Sequence, residues 1–262
     1  MKFGCCIKAI EDISKVKQAG YDYFEFSGTC VAQMDDAAFQ QMLQTVQELN
    51  IPCIGFNSYC NGTPAIVGPD YNPEEVAAYA KIICRRGHQL GIRSIGIGAP
   101  SARRLPEGYP PSLARQQCME FLRITATEAE KYGIQVLFEA VHAKICDFAT
   151  YTKDAVEITE QLQLPNLGIV LDFYHMHVMG EPISCGAPAL PYLRHVHIST
   201  CGPQLERGYP NHSTEEVYAE ILRWLKENQY DQSISIEADH FLSEAAAEAI
   251  RLLHHLDIAT SK

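Results

Sequence analysis

The sequence predicts an α/β protein, a single (β/α)8 TIM barrel over residues 1–262, and three observations carry that expectation. An amphipathic helix, a Gly or Asn suited to a left-handed cap, and a short apolar strand recur as one phrase along the chain. Counting the opening strand, the chain holds eight such apolar strands, separated by helix-length stretches. The length of 262 residues also suits one barrel of this kind, which typically runs to about 250 residues.

The first strand is KFGCCI at the start of the chain. Helices then close at Gly20 before YDYFEFS, at Asn50 before IPCIGF, at Gly91 before IRSIGIG and at Gly133 before IQVLFEA. Later copies close near Asn166 before LGIVLDF and near Asn228 before SISIEAD, with LRHVHIS between them. Two helix starts, Asn72-Pro73-Glu74-Glu75 and Ser213-Thr214-Glu215-Glu216, place a capping residue three positions before a Glu and read as capping boxes. Strands alternating with helices imply parallel pairing, and eight units favour a closed barrel over an open doubly wound sheet. No GxGxxG or GxxxxGK[ST] follows a strand, so the usual nucleotide-binding cues of the open sheet are missing.

Composition narrows the partners. With 47% hydrophobic and 20% charged residues the chain is an ordinary globular sequence without a low-complexity linker. The balance of 21 Lys+Arg against 32 Asp+Glu gives a net charge of −11, which opposes approach to nucleic acid or anionic lipid. No signal-like opening and no apolar run of about 20 residues is visible, so a cytoplasmic protein with no membrane partner is expected. Of the ten cysteines, Cys5, Cys6, Cys53 and Cys84 sit in apolar runs and no CxxC pair occurs, which reads as reduced core thiols rather than a zinc cage.

Strands of a parallel barrel are covered on both faces, so an ionisable residue ending one calls for a reason. Four successive strands end this way: VLFE at Glu139, IVLD at Asp172, RHVH at His197 and ISIE at Glu237. In a barrel these ends converge at the face where active sites are built. Three carboxylates at close range would repel and raise one another's pKa, and a divalent cation resolves the conflict. The oxygen-rich set with one imidazole favours Mn²⁺, with Co²⁺, Mg²⁺ or Zn²⁺ as alternatives. His175, three residues past Asp172, either holds a substrate oxygen or packs behind the site. Arg207 either reaches a substrate hydroxyl or phosphate or is a solvated loop arginine. Glu25, ending the apolar stretch of the second strand, is a candidate polar substrate contact, and Glu181 a candidate supporting acid. His177 and His195 alternate with better candidates, are expected to face outward or pack under helices, and receive no role.

These residues resemble the xylose-isomerase-like TIM barrels, which include D-tagatose and D-psicose 3-epimerases, hydroxypyruvate isomerase and the inosose enzymes. The resemblance covers essentially the whole chain and is most specific at Leu171-Asp172-Phe173-Tyr174-His175-Met176 with the trailing Glu181, which looks like the family's LDxxHM segment and acid. It implies that Glu139, Asp172, His197 and Glu237 hold one metal ion, that Glu139 and Glu237 transfer protons, and that His175 and Arg207 contact substrate. It also implies a homodimer or homotetramer. The chain departs from the 3-epimerases after the fifth strand. Where they usually have an Arg and a second Glu, it has Ala143 and Ile145, from which weak binding of simple ketohexoses such as fructose or tagatose is expected. Nor does His197-Ile198-Ser199-Thr200 match the hydroxypyruvate isomerases.

A metal that polarises a carbonyl acidifies the adjacent C–H, and a carboxylate can then remove that proton. With Glu139 and Glu237 on opposite sides of a sugar, removal on one face of a cis-enediolate and return on the other is epimerisation beside the ketone. The expectation is therefore a metal-dependent sugar isomerase or epimerase, ketose 3-epimerase in type. Aldose-ketose or hydroxypyruvate-type isomerisation and inosose-type dehydration are alternatives on the same site. An endonuclease-IV-like repair enzyme would need further early histidines, and the chain has only His88 before residue 142. A silent sugar-binding barrel would be expected to lack one of the two glutamates.

Overall fold

The computed structural model of the chain describes residues 1–260. Each barrel strand is a run of apolar residues with few bulky polar interruptions, and each is buried along most of its length. The strands are β1 (Lys2–Ile7), β2 (Tyr23–Ser27), β3 (Cys53–Asn57), β4 (Ser94–Ile97), β5 (Gln135–Glu139), β6 (Leu167–Asp172), β7 (Leu193–Ile198) and β10 (Ser233–Ile236). All pair in parallel and close into one barrel in the order β1-β10-β7-β6-β5-β4-β3-β2. The eight expected strands are thus the eight of the barrel. A hairpin of two-residue strands, β8 (Thr200–Cys201) and β9 (Arg207–Gly208), is added after β7; the sequence reading treats it as loop.

Helices α1 (Asp12–Ala19), α3 (Asp36–Leu49) and α4 (Pro73–Leu90) end at Gly20, Asn50 and Gly91, each at positive φ as expected. Later stops agree less closely, although Gly133 keeps its positive φ. The helix α5 (Pro111–Glu130) ends before Gly133, and α6 (Thr152–Leu162) takes Gln163, not Asn166, as its left-handed cap. Asn166 instead donates its amide to the Ala126 and Ile134 carbonyls at 2.8 and 3.3 Å, tying the turn to α5. Asn228, capping α8 (Glu215–Glu227), has φ −96, and Gln229 carries the positive φ.

The helix starts also differ from the capping boxes expected. Asn72 accepts from the Glu74 N–H at 3.0 Å without a reciprocal bond from Glu75. At the second site Ser213 lies inside a 3-10 turn, His212–Thr214, which Asn211 and Thr214 cap reciprocally. All ten cysteines are free, and Cys5, Cys6, Cys53 and Cys84 are buried. No helix among the described residues is long and apolar enough to cross a membrane.

The barrel interior is not purely aliphatic. Tyr23, Glu25, His195 and Ser235 are buried together and bonded to one another, which offsets the cost of removing polar groups from water. Two register shifts shape this interior, one at Phe24/Glu25 against β3 and one at Ile169/Val170 against β7. The second sets Asp172 directly beside His197. Gly55 makes room for the Glu25 carboxylate, whose Oε2 would lie 3.2 Å from an added Cβ.

Glycine tolerance separates the barrel wall from its rim. A Cβ on Gly4 would overlap the buried Tyr23 ring, whereas Gly91 has open space and only its φ of +76° to resist a side chain. Urea unfolding is expected to show Gly4→Ala losing about 3 kcal/mol or more and Gly91→Ala about 1 kcal/mol. Equal losses would show that the Gly4–Tyr23 contact relaxes freely.

Candidate metal and proton-transfer site

Because parallel strands present their C-terminal ends at one face, the last residues of neighbouring strands meet there. Glu139 and Asp172 are the final residues of β5 and β6, His197 lies near the end of β7, and Glu237 follows β10. One potential ligand atom from each lies within 4.8 Å of the others. His197 Nδ1 is 3.3 Å from Glu139 Oε1 and 3.5 Å from Glu237 Oε2. Gly98 leaves the room that Glu139 fills, since an added Cβ there would overlap Glu139 Oε2.

The structure brings Arg207 and His175 onto the same cluster. The β8–β9 hairpin carries Arg207 over the mouth, where the Asp239 carboxylate accepts from its backbone N–H at 2.8 Å. Its guanidinium donates to Asp172, to Glu237 Oε2 at 2.8 Å and to His175 Nε2 at 2.9 Å, and lies 4.1 Å over the Tyr174 ring. His175 stands in the first turn of α7 (Phe173–Met179), a helix capped by Asp172 itself, whose Oδ1 accepts from the Tyr174 N–H at 2.8 Å. Glu181 lies apart from the cluster: it accepts from the Thr152 N–H and hydroxyl at the start of α6. His177 is exposed.

Burial and charge act in opposite directions on the acids. Burial, with the neighbouring Asp172 and Glu237 charges, pushes the Glu139 carboxyl up to about 7. Burial also opposes ionisation of Asp172, but the Arg207 guanidinium outweighs it and holds this carboxyl well below its ordinary value. Burial lowers the His175 pKa, with Arg207 adding to the effect, so its imidazole stays neutral.

Two expectations need correction here. Glu25 does not border the mouth: it is 2% exposed, deep in the barrel, and its Oε1 faces His195 Nε2 at 2.6 Å and His197 Nε2 at 3.3 Å. His195 does not face outward or pack under helices. Side chains alternate along a strand, so His195 and His197 share the inner face, and His195 is anchored through Nδ1 to the Ser233 hydroxyl at 2.8 Å. The arrangement leaves His197 Nδ1 toward the acids and Nε2 toward a carboxylate, the orientation that metal-bound imidazoles usually take.

Two further residues escaped the sequence reading. Arg103 is fully buried; its guanidinium donates to the main-chain carbonyls of Gly98, Glu139, Phe148 and Ala149, tying the loops after β4 and β5 together. Nothing in the sequence separates it from Arg104. Asn57, ending β3, donates from Nδ2 to Glu237 Oε1 at 2.8 Å; a strand-terminal Asn reads as an ordinary turn residue.

A cavity of about 420 Å³ opens over the cluster. Glu139, Glu237, His175 and Arg207 border it on one side; Ser27, Thr29, Asn57, Asn61 and Ser101 contribute neutral polar groups on the other. Asp172, His197 and Glu25 are not among its lining residues. The donor set fits a hard or borderline divalent ion, and the cluster already draws a cationic group, the Arg207 guanidinium, onto Asp172 and Glu237.

If Glu25 orients His197, Glu25→Gln weakens Mn²⁺ binding by about 10- to 100-fold with an unchanged circular dichroism spectrum, as read by calorimetric titration. Unaltered affinity would show that the carboxylate does not support the ligand.

A sequence model described as "Xylose isomerase-like TIM barrel" matches residues 13–256. A protein named inosose isomerase from Halalkalibacterium halodurans is 25% identical over 259 residues, covering 92% of this chain and 87% of its own. Among solved structures, the D-psicose 3-epimerase of Clostridium cellulolyticum H10 with D-tagatose superposes with a TM-score of 0.75 at 17% identity, covering 100% of this chain and 97% of its own. The IolI protein with a bound zinc atom gives 0.73 at 19% identity, covering 99% and 98%. These two structures show the shared fold, and the family match spans nearly all of this barrel: the chain belongs to the xylose isomerase-like TIM barrel family.

Proposed function

We propose that the protein is a divalent-metal-dependent isomerase or epimerase that moves a proton next to the carbonyl of a polyhydroxy ketone, ketose 3-epimerase in type. One observation carries this reading: of the four clustered residues, Glu139 and Glu237 border the cavity, whereas Asp172 and His197 lie behind it. The two glutamates thus face both the ion position and the space for substrate, from strands three apart in the barrel. The names of the inosose isomerase relative and of the psicose epimerase support the isomerase class.

Glu139, Asp172, His197 and Glu237 would hold the ion, with Mn²⁺ favoured, and the zinc in the IolI protein supports a divalent site on this fold. When bound, the ion would polarise the substrate carbonyl and acidify its neighbouring C–H. Glu139 takes a proton from one face of the carbon and Glu237 delivers one to the other, and the electron pair rests meanwhile in an enediolate. His175, kept neutral, and Arg207 hold substrate oxygens and offset their negative charge.

A cyclic ketone of the inosose kind is a second reading. The loop after β5 has Ala143 and Ile145 where the 3-epimerases usually have an Arg and a second Glu, and Val141 and Ile145 give the cavity an apolar part of its lining. The relative named inosose isomerase supports it. The neutral polar groups of Ser27, Thr29, Asn57, Asn61 and Ser101 along the cavity and the net charge of −11 speak for a small sugar-like substrate over nucleic acid, in a cytoplasmic protein acting as a homodimer or homotetramer.

The test is solvent exchange. The Mn²⁺-loaded protein is incubated in D₂O with D-fructose, D-tagatose, D-psicose and 2-keto-myo-inositol, alongside Glu139→Gln and Glu237→Gln. Wild-type protein should place deuterium beside the carbonyl of at least one ketone. Each variant should lose net epimerisation by about 100-fold or more yet still label one epimer, the labelled epimer switching between them. Near wild-type turnover in both variants with metal bound would end the two-base reading.

A further inference from the structure

The two oxygens of Glu237 have different surroundings. Oε2 accepts from Arg207 at 2.8 Å and lies 3.5 Å from His197 Nδ1, on the side of the ion cluster. Oε1 accepts from Asn57 Nδ2 at 2.8 Å, across the mouth from β3. A carboxylate can only accept, so the Asn57 amide must present its NH₂ to Glu237 and turn its carbonyl away. That carbonyl oxygen, Oδ1, is buried and has no hydrogen-bond partner among the described residues, and Asn57 as a whole is 2% exposed.

An unmet buried acceptor makes a residue a poor choice for stability, since an apolar side chain of the same shape would carry no such cost. Stability therefore does not explain Asn57. Its effect lies on Glu237: the last torsion of a glutamate is broad and nearly two-fold, and a carboxylate held on one oxygen alone can turn. With Oε2 fixed by Arg207 and Oε1 by Asn57, it cannot.

We propose that Asn57 is a positioning residue that locks the Glu237 carboxylate, leaving the free lone pair of Oε1 aimed into the cavity at one face of the substrate carbon. This rests on the reading of Glu237 as one of two proton carriers. In one direction Oε1 takes the proton as the C–H electron pair moves into the enediolate and Glu139 protonates the opposite face; in the other direction a proton from Oε1 closes the enediolate on the Glu237 face. Asn57 also borders the cavity, so it sets the distance of approach on the Glu237 side only. Its loss should therefore be felt on one face.

The experiment uses Asn57→Leu, with Asn57→Ala as a second variant, both Mn²⁺-loaded, on the four ketones named above in D₂O. Glu237→Gln identifies the epimer whose labelling depends on Glu237. In both Asn57 variants, labelling of that epimer should fall by about 10- to 100-fold, while labelling of the Glu139-dependent epimer stays within about threefold of wild type. Mn²⁺ is kept saturating, with occupancy checked by calorimetric titration, and Asn57→Leu should melt no lower than wild type. Equal loss on both epimers, or a fall in melting temperature that tracks the loss, would overturn the assignment, as would unaltered labelling. A wild-type protein that exchanges none of the four ketones would remove the proton-carrier reading itself, a result distinguishable from a failure of Asn57 alone, and the inference would fall with it.

Discussion

The constraint on which the mouth of this barrel depends is buried negative charge. Glu25, Glu139 and Asp172 are almost wholly removed from water, and Glu237 is partly buried, within reach of one imidazole, that of His197. In a low-dielectric interior like charges at such separations repel strongly. The chain answers with Arg207 on Asp172 and Glu237, and with His195 and His197 on Glu25, while Glu139 is left with a carboxyl pushed up to about 7. A divalent cation is the further positive charge that this balance calls for, and the chemistry proposed here uses the same charge to acidify a carbon acid.

The fold supplies the rigidity that such a cluster needs. Three of the four strand-end residues lie on hydrogen-bonded strands, and the fourth follows β10 with its N–H bonded to the Ile198 carbonyl at 3.0 Å. Below them the Glu25–His195 pair and the Ser233 and Ser235 hydroxyls brace His197. Beside them Arg103 ties the main chain of Glu139 to the loops after β4 and β5. The substrate side is made differently, from loops and from a two-residue hairpin, so it is where members of one fold diverge in specificity.

Much of this was legible in the sequence. Glu139, Asp172, His197 and Glu237 each end an otherwise apolar strand, and that pattern is conspicuous because such strands tolerate ionisable groups poorly. Their meeting at one point follows from the topology. Arg207 is a candidate substrate contact through the resemblance, but the hairpin that carries it is not legible, since strands of two residues leave no periodic trace. Glu25 ends an apolar stretch as the four do, yet β2 runs on to Ser27, which leaves Glu25 two residues below the strand end. His195 was misjudged although the period of two already placed it with His197. Asn57 and Arg103 act through single contacts across the barrel, between residues far apart in sequence, and no local pattern announces them. The stop expected near Asn166 falls instead on Gln163, because the Asn166 amide is taken up by the Ala126 and Ile134 carbonyls.

The most direct test of the account is anomalous diffraction from crystals soaked in Mn²⁺, collected on either side of the manganese absorption edge. A single strong peak per chain, enclosed by carboxylate oxygens of Glu139, Asp172 and Glu237 and by His197 Nδ1 at about 2.0–2.3 Å, is the result the account predicts. A peak elsewhere in the chain, or a cluster that stays free of manganese while Arg207 keeps its place on Asp172 and Glu237, would contradict it.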